Sequence, residues 1–575
     1  MASEHDVVIR GGLVVDGTGA KARSADVAWK DGIVTEVGRV SGRGHREIEA
    51  DGQLVTPGFV DMHTHYDGQA TWDPHFSPSS GHGVTTVVMG NCGVGFAPCK
   101  PEDRDWLINV MEGVEDIPGA ALHEGIQWDW ASFPEYLDAL ERREHTLDYA
   151  TQIPHSAVRG YVMGPGRAET EDATAEEIAQ MAALVDEAIE AGALGFSTSR
   201  TPLHKTAEGV LVAGTDAGMD ELTAIARALA ARGALFEISA DNTRIDQEVQ
   251  WLDAMAREVG THVLFNLTQM DQNPQGWTKA VSVLEQAAAD GVPLTAQVAG
   301  RSIGLCMCWR GTAHPFALHP SFQRLATRPW SEQLATLRDP AFRAKLIAET
   351  PVTVGPFESF VTQTFGKMFV MDDGFDYEPA PADSLAAIAA RTGTSALELA
   401  YDALMRRDGE GMIYFPLFNY AEGSLDPLHQ LHAHPTTRFG LADGGAHCGA
   451  ICDAGMPTFM LTHWARDRRR GARLALEHIV KRQTADTART YGLLDRGVLA
   501  PGYRADVNVI DYENLRLGAP RLDWDLPAGG RRLMQDATGY RATVIAGQVV
   551  YEDGVHTGAM PGSLIRGPRS APAPR

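Results

Sequence analysis

Cysteine is scarce in this sequence, and no two cysteines are spaced as CxxC. The 575 residues include six cysteines, which are Cys92, Cys99, Cys306, Cys308, Cys448 and Cys452. This number is too small for a disulfide framework in a chain of this length. The fold must therefore depend on a hydrophobic core, and the 44% of hydrophobic residues provide enough material for a large one.

Long apolar runs and an excess of positive charge are also missing. No segment approaches the roughly 18 to 20 apolar residues of a membrane span, and residues 1–10 lack the apolar stretch of a signal peptide. The net charge of −25 repels the phosphates of nucleic acids. We therefore expect a cytoplasmic protein with a small-molecule substrate and neither a membrane nor nucleic acid as partner. The sequence leaves the oligomeric state open, a homo-oligomer included.

Both ends of the chain consist of short β-type segments separated by tight turns. Asp31-Gly32 near one end and Asp553-Gly554 near the other lie between alternating apolar residues, which is a strong hairpin signal. We predict that residues 1–56 and 498–556 together form one small β-sandwich. Residues 557–575 are rich in Pro, Gly, Ser and Arg, and we predict that they form a mobile tail.

The middle of the chain, residues 57–497, alternates short apolar runs with helical segments, as expected for parallel strands joined by helices. Eight candidate strands are present, namely Gly58–His65, Thr85–Asn91, Tyr149–His155, Leu194–Ser199, Ala234–Ser239, His262–Thr268, Leu294–Gly300 and Arg438–Asp443. This order predicts an α/β fold, a (β/α)8 TIM barrel, with its active site at the carboxyl ends of the strands. The long interval of about 302–436 between strands seven and eight predicts an inserted segment that covers the barrel mouth.

Four residues at predicted strand ends are candidate metal ligands. His63 and His65 end the first strand, and because strand side chains alternate, both point to the same side. Cys92 ends the second strand, and a thiolate favours Zn²⁺. Asp443 ends the eighth strand, where a carboxylate can bind the metal and act as general base, then as general acid. The alternative interpretation is two structural histidines, an inert buried cysteine and an aspartate that caps a turn.

Several longer motifs surround these residues. They are His63-Thr-His65 with Tyr66-Asp67, His82-Gly-Val-Thr-Thr86 with Gly90-Asn-Cys-Gly93, Gly192-Ala-Leu-Gly-Phe-Ser197, Asp443-Gly444, and Arg496 to Asp506. In these motifs the chain resembles the D-aminoacylase (N-acyl-D-amino-acid deacylase) branch of the amidohydrolases over nearly its whole length. Trp72-Asp-Pro74 and Val94 to Pro98 are most similar to the large deacylases of N-acyl-D-aspartate or N-acyl-D-glutamate. The resemblance implies a barrel with a β-sandwich from both termini and zinc-dependent removal of an acyl group from a D-amino acid.

The sequence departs from this family at strands five and six. The family has a metal-binding histidine at the end of each, whereas strand five here ends in Glu237 to Asp241 and strand six in Asn266 to Gln269. The resemblance therefore implies that the four candidate ligands hold a single Zn²⁺ ion, and a second metal ion is not expected. Glu237 or Asp241 could replace a missing ligand, or could lie at the surface or the core edge.

Four more residues are candidates for substrate binding. His155 and Arg159 follow the third strand and resemble a His…Arg element of the family. Arg200 and Arg301 follow strands four and seven, where a guanidinium can hold a carboxylate bidentately. A purely structural role is the alternative for each of the four.

The sequence as a whole predicts a metal-dependent hydrolase that cleaves a C–N amide bond and deacylates N-acyl-D-amino acids. Two alternatives stay open. The first is the same barrel acting on a cyclic amide or a lactone. The second is a barrel without a catalytic metal that only binds a small ligand.

Overall fold

The computed structural model describes residues 4–353 and 355–573. Its strands are His5–Val14 (β1), Arg23–Lys30 (β2), Ile33–Gly38 (β3), Gly44–Glu49 (β4), Leu54–Pro57 (β5), Phe59–Asp61 (β6), Val84–Met89 (β7), Asp148–Thr151 (β8), Ile153–Pro154 (β9), Gly195–Ser199 (β10), Leu235–Ser239 (β11), His262–Asn266 (β12), Leu294–Val298 (β13), Gly304–Met307 (β14), Phe369–Met371 (β15), Met412–Pro416 (β16), Thr437–Phe439 (β17), Val507–Ile510 (β18), Arg516–Leu517 (β19), Arg521–Leu526 (β20), Gly530–Met534 (β21), Ala537–Thr538 (β22), Tyr540–Ile545 (β23), Gln548–Glu552 (β24) and Val555–His556 (β25).

The α-helices lie mainly between and after the central strands. They are Arg104–Glu115 (α1), Gly119–Gly125 (α2), Phe133–Glu141 (α3), His155–Met163 (α4), Pro165–Thr170 (α5), Ala175–Ala191 (α6), Met219–Arg232 (α7), Ile245–Val259 (α8), Gly276–Ala289 (α9), Pro320–Ala326 (α10), Trp330–Leu337 (α11), Pro340–Ala348 (α12), Pro356–Gln363 (α13), Leu385–Thr392 (α14), Ala396–Leu404 (α15), Arg406–Gly409 (α16), Asp426–Ala433 (α17), Met456–Phe459 (α18), Leu476–Arg482 (α19) and Ala485–Thr490 (α20). A π-helical segment, Met460–Asp467, continues α18. Within the described ranges, no helix is both long enough and apolar enough to cross a membrane.

Each of the eight predicted central strands overlaps an observed one, and all of them pair in parallel. One sheet has the order β6-β7-β8, and the other has the order β17-β13-β12-β11-β10-β9. A single residue, Gln152, separates β8 from β9, and an isolated parallel bridge joins Thr64 to Gly444 beyond the ends of β6 and β17. The parallel pairing places the carboxyl ends of these strands along one edge, where the candidate ligands lie.

The long crossover helix α6 begins at a capping box. The N-cap of α6 is Thr174, whose hydroxyl accepts the Glu177 amide while the Glu177 carboxylate accepts the Thr174 amide. Its buried residues Met181, Val185 and Ala188 recur at helical spacing and belong to the main hydrophobic core. The helix packs mainly against α7, α4 and α3.

Strands from both chain ends form one mixed sheet of nine strands. Its order is β25-β24-β23-β18-β5-β1-β2-β3, with β4 paired to β1. The ends meet where β5 pairs in parallel with β1 and antiparallel with β18. The predicted turn at Asp31-Gly32 joins β2 to β3, and both residues have positive φ, 51° and 73°, as a two-residue hairpin turn requires. The two terminal segments thus share one sheet, and the β-sandwich domain stays a prediction.

The interval between the last two central strands holds its own small sheet. β15 and β14 flank β16 in antiparallel pairing, with helices α10 to α17 around them. Glu378 anchors this inserted segment to the π-helical segment, because it binds Arg468 at 2.9 Å and His463 at 3.1 Å. The Arg468 side chain is completely buried, so this ion pair is shielded from solvent.

We expect this anchor to fail in acid. Burial alone would raise the pKa of Glu378, but hydrogen bonds from His463, Arg468 and the Leu425 amide outweigh it and lower the pKa from 4.5 to about 2. A carboxyl group with a lowered folded-state pKa contributes stability above its ordinary pKa and loses it as the pH falls to the folded value. The stabilising effect should therefore disappear between pH 4.5 and pH 2.

Urea unfolding followed by tryptophan fluorescence across this window tests the expectation. As the pH is lowered, the free energy of unfolding should fall more steeply for the wild type than for Glu378→Gln, so that the two proteins become equally stable in acid. A difference between them that stays constant across the window would contradict the expectation.

Part of the chain beyond Gly558 packs against the central strands. Ile565 is 2% exposed and packs under β6 to β8, and its amide donates to the Tyr149 carbonyl at 2.8 Å. Arg566 binds Asp138 and Glu141 at 2.6 and 2.7 Å. The buried apolar pair Leu564-Ile565 attaches the chain to the rest of the protein at this point, and the mobility of residues 557–575 stays a prediction.

Candidate metal centre

His63, His65 and Cys92 lie together at the carboxyl ends of β6 and β7. The Cys92 Sγ is 3.3 Å from His63 Nε2, and one ligand atom from each of the three residues lies within 4.8 Å of the others. All three residues are buried. Gly93 allows the backbone next to Cys92 to pass close to β10, because a Cβ on Gly93 would lie 2.8 Å from the Cα of Thr198.

Asp443 reaches the same point from the loop after β17. Its Oδ1 lies 3.4 Å from His63 Nε2 and 4.0 Å from His65 Nε2. Its amide donates to the His63 carbonyl, and the His65 amide donates to the Gly444 carbonyl. Cys92 and Asp443 both have left-handed backbone conformations, with φ of 57° and 49°, which are costly for residues other than glycine and cluster at functional sites. The structure thus places His63, His65 and Cys92 in one cluster of ligand atoms and Asp443 beside the two imidazoles, and metal binding by the four residues stays a prediction.

A chain of hydrogen bonds supports His63 and Cys92 from the side of β11 and β13. The Gln297 amide nitrogen donates to Glu237 Oε1 at 3.0 Å, and the Gln297 Oε1 faces His63 Nδ1 at 3.2 Å. With its oxygen turned to the imidazole, Gln297 accepts a hydrogen bond from the Nδ1–H of His63. The Nε2 lone pair of His63 is therefore free for a metal. Glu237 also accepts the Cys92 amide, and the Ser239 hydroxyl donates to the Cys92 sulfur.

Glu237 and Asp241, which the sequence offers as replacement ligands, therefore have other partners. Glu237 binds the Cys92 amide and Gln297, as described above. Asp241 caps the short turn that follows β11, accepting from Thr243 and from Arg244. Neither belongs to the cluster of ligand atoms found among the described residues.

Three further side chains lie near the cluster, and two of them, Glu115 and His204, are not among the site residues that the sequence predicts. Glu115 at the end of α1 lies 3.3 Å from His65 Nδ1, and His447 lies 3.8 Å from Glu115. His204 lies in the loop after β10 and shares a hydrogen bond of 2.9 Å with the hydroxyl of Ser199, the last residue of that strand. These residues follow no strand directly, so the strand-end pattern could not reveal them.

Burial dominates the electrostatics of the cluster. It lowers the pKa of His63 to about 3 and the pKa of His65 well below its ordinary value, so both imidazoles are neutral. It raises the pKa of the Cys92 thiol, and the carboxylates of Glu115 and Glu237 raise it further. It also raises the pKa of Asp443. Neutral imidazoles next to acids that are costly to ionise form a site that a cation would stabilise.

The donor set fits a divalent transition metal. Two imidazole nitrogens, a thiolate and a carboxylate are the ligands of tetrahedral zinc. The buried His65 Nδ1 and Glu115 Oε1 have no hydrogen-bond partner among the described residues. A cation on the Nε2 side of His65 would polarise its ring and strengthen a bond between these two atoms.

Comparison with known proteins identifies the family. The amidohydrolase family matches residues 46–551. The chain is an amidohydrolase. The sequence-based family prediction is thus confirmed, and with it the class of hydrolases that act on carbon–nitrogen bonds.

Three relatives show how far the likeness extends. An uncharacterized protein of Mycobacterium tuberculosis is 29% identical to this amidohydrolase over 96% of this chain and 92% of its own. N-acyl-D-glutamate deacylase of Alcaligenes xylosoxydans xylosoxydans is 26% identical over 92% of this chain and 91% of its own. The crystal structure of N-acyl-D-glutamate deacylase from Bordetella bronchiseptica, complexed with zinc and a phosphonate inhibitor, has a TM-score of 0.65 at 24% identity, covering 98% of this chain and 99% of that one.

The four predicted substrate-binding residues of the amidohydrolase do not gather at the cluster. His155 binds Glu221 at 2.7 Å, and Arg159 pairs with the same carboxylate. Arg301 is completely buried and lies 2.9 Å from Asp453. Arg200 is half-buried and donates to the Ala217 carbonyl at 3.0 Å. A substrate-binding role for these residues stays a prediction.

Proposed function

We propose that this amidohydrolase removes the acyl group from N-acyl-D-amino acids with the help of one divalent cation, Zn²⁺. The observation that carries the proposal is the convergence of His63, His65, Cys92 and Asp443 at one buried point. The relative named for N-acyl-D-glutamate and the structural neighbour that contains zinc support the substrate class and the metal. Gln297 on β13 and Glu237 on β11 are hydrogen-bonded to each other, which supports a one-metal site.

The proposal includes the architecture. We propose that the two parallel sheets close into a single (β/α)8 barrel, since β8 continues into β9 and a bridge joins Thr64 to Gly444. The terminal sheet would then be the small β-sandwich beside the barrel, and the inserted segment would cover part of its mouth. The TM-score with the deacylase structure supports this arrangement.

The positions of these side chains support a reaction with Asp443 as the proton carrier. A bound divalent cation would act as a Lewis acid on the acyl carbonyl and on the attacking water. Asp443 takes a proton from that water and then delivers it to the leaving nitrogen as the C–N bond breaks. His63 and His65 are neutral and would hold the cation through the reaction.

Arg200 is the strongest of the four candidates for binding the carboxylate of the substrate. Arg301 and Arg159 have buried carboxylate partners, whereas Arg200 donates a hydrogen bond to a backbone carbonyl. Its guanidinium lies over the Trp251 ring at 5.9 Å and interacts with the charge of Glu248, but it forms no close ion pair among the described residues, so it can attract an anion. We propose that His155 and Arg159 support the wall of the site and that Arg200 attracts the substrate.

A substrate panel tests the proposed reaction. Zinc-loaded enzyme is incubated with N-acetyl derivatives of D-glutamate, D-aspartate and neutral D-amino acids, with their L enantiomers, and with cyclic imides and lactones. Release of free D-amino acid from the linear D compounds is the expected result. Turnover of only the cyclic compounds would favour the ring-opening alternative, and ligand binding without turnover or bound metal would favour a non-catalytic barrel.

A further inference from the structure

Glu115 lies between a proposed metal ligand and a second imidazole. Its side chain is 2% exposed at the end of α1. One carboxylate oxygen is 3.3 Å from His65 Nδ1, and the other is 3.8 Å from His447 Nε2. The Glu115 carbonyl also accepts the His447 amide. A single residue thus contacts the end of β6 and the loop after β17.

The two facing atoms have no alternative partner among the described residues. His65 Nδ1 and Glu115 Oε1 are both buried, and neither has a hydrogen bond within the usual geometry. Leaving a buried polar atom unpaired is costly, so a pair of such atoms 3.3 Å apart points to an interaction between them.

The comparison with His63 shows what that interaction would do. His63 Nδ1 faces Gln297 Oε1, which directs the Nε2 of His63 toward Cys92 and Asp443. A metal-binding imidazole generally donates its other N–H to a carboxylate or carbonyl, which fixes its tautomer and ring orientation. Glu115 is the side chain that occupies this place for His65.

We propose that Glu115 is a positioning residue for the metal centre. Its carboxylate accepts a hydrogen bond from the Nδ1–H of His65, which directs the Nε2 lone pair of His65 to the cation. Through His447, it also fixes the loop that holds Asp443. The inference rests on the proposed function, because it takes His65 as a metal ligand.

Zinc affinity, measured by competition with a chromophoric chelator, tests the proposal without relying on turnover. We expect Glu115→Gln and Glu115→Ala to bind zinc about 10- to 100-fold more weakly than the wild type, as is typical when the partner of a ligating imidazole is removed. Urea unfolding of each metal-free variant separates this effect from a loss of stability.

Glu221→Gln is the matched control. Glu221 is as deeply buried as Glu115 and binds His155 at 2.7 Å, but it lies outside the ligand cluster. We expect this variant to lose stability and to keep the zinc affinity of the wild type.

The outcomes separate the inference from the proposed function. Wild-type zinc affinity in Glu115→Gln, or a loss no larger than in Glu221→Gln, would overturn the positioning role and leave the metal site intact. A wild-type protein that binds no zinc would overturn both.

Discussion

Replacing His63 by asparagine should abolish metal binding and activity together. The imidazole of His63 lies within 3.4 Å of both Cys92 Sγ and Asp443 Oδ1, so its loss removes the central ligand of the cluster. We expect less than a tenth of the wild-type zinc content. The activity should fall by roughly 10³-fold or more, which corresponds to about 4 kcal/mol of lost transition-state stabilisation. Elemental analysis and kcat/KM on the best substrate of the panel measure the two effects.

His432→Asn provides the matched control for this variant. His432 is also completely buried, but its Nε2 binds the Ala299 carbonyl at 3.0 Å, away from the ligand cluster. We expect it to lose stability and to keep its zinc. If His63→Asn retained a full equivalent of zinc and normal turnover, His63 would be a structural histidine and the proposed centre would be wrong.

Replacing Arg301 by methionine should have the second large effect, on stability. The Arg301 guanidinium lies 2.9 Å from Asp453, donates to the Cys452 carbonyl and stacks over Tyr377. Its removal leaves the Asp453 charge buried without a partner. We expect the free energy of unfolding to fall by about 3 to 5 kcal/mol, as measured by urea unfolding.

Two further variants show whether the ion pair is the cause. Arg301→Met with Asp453→Leu should be less destabilised than the sum of the single changes, because no unpaired charge remains. Arg232→Met removes an exposed arginine that binds Asp186 and Glu190, and it should cost less than about 1 kcal/mol. If Arg301→Met kept wild-type stability and only raised KM, Arg301 would be the substrate clamp that the sequence offers.

Much of the central fold was predictable because the strands are short apolar runs at regular intervals. The segment before His63 and the segment before Cys92 each contain one such run, and the helical segments between most of the later runs predict the parallel order. Since parallel strands end at one edge, His63, Cys92 and Asp443 could be expected to meet there. The structure places them together although Cys92 and Asp443 are 351 positions apart in the sequence.

The supporting residues could not be predicted in this way. Glu115 ends a helix in the connection after β7, and His204 follows β10 only after a loop. Nothing in their local pattern indicates which way they face. The partner of Arg301 is similarly hidden, because Asp453 lies 152 positions away in an irregular loop. Contacts of this kind depend on tertiary packing.

Substitution of cobalt for zinc tests the one-metal centre most directly, because a cobalt ion bound to a thiolate has a characteristic charge-transfer absorption. We predict one equivalent of cobalt per chain and a thiolate-to-cobalt band that is present in the wild type and absent in Cys92→Ser. A wild-type protein that binds no stoichiometric cobalt, or a band that survives in Cys92→Ser, would contradict a metal ion held by His63, His65, Cys92 and Asp443.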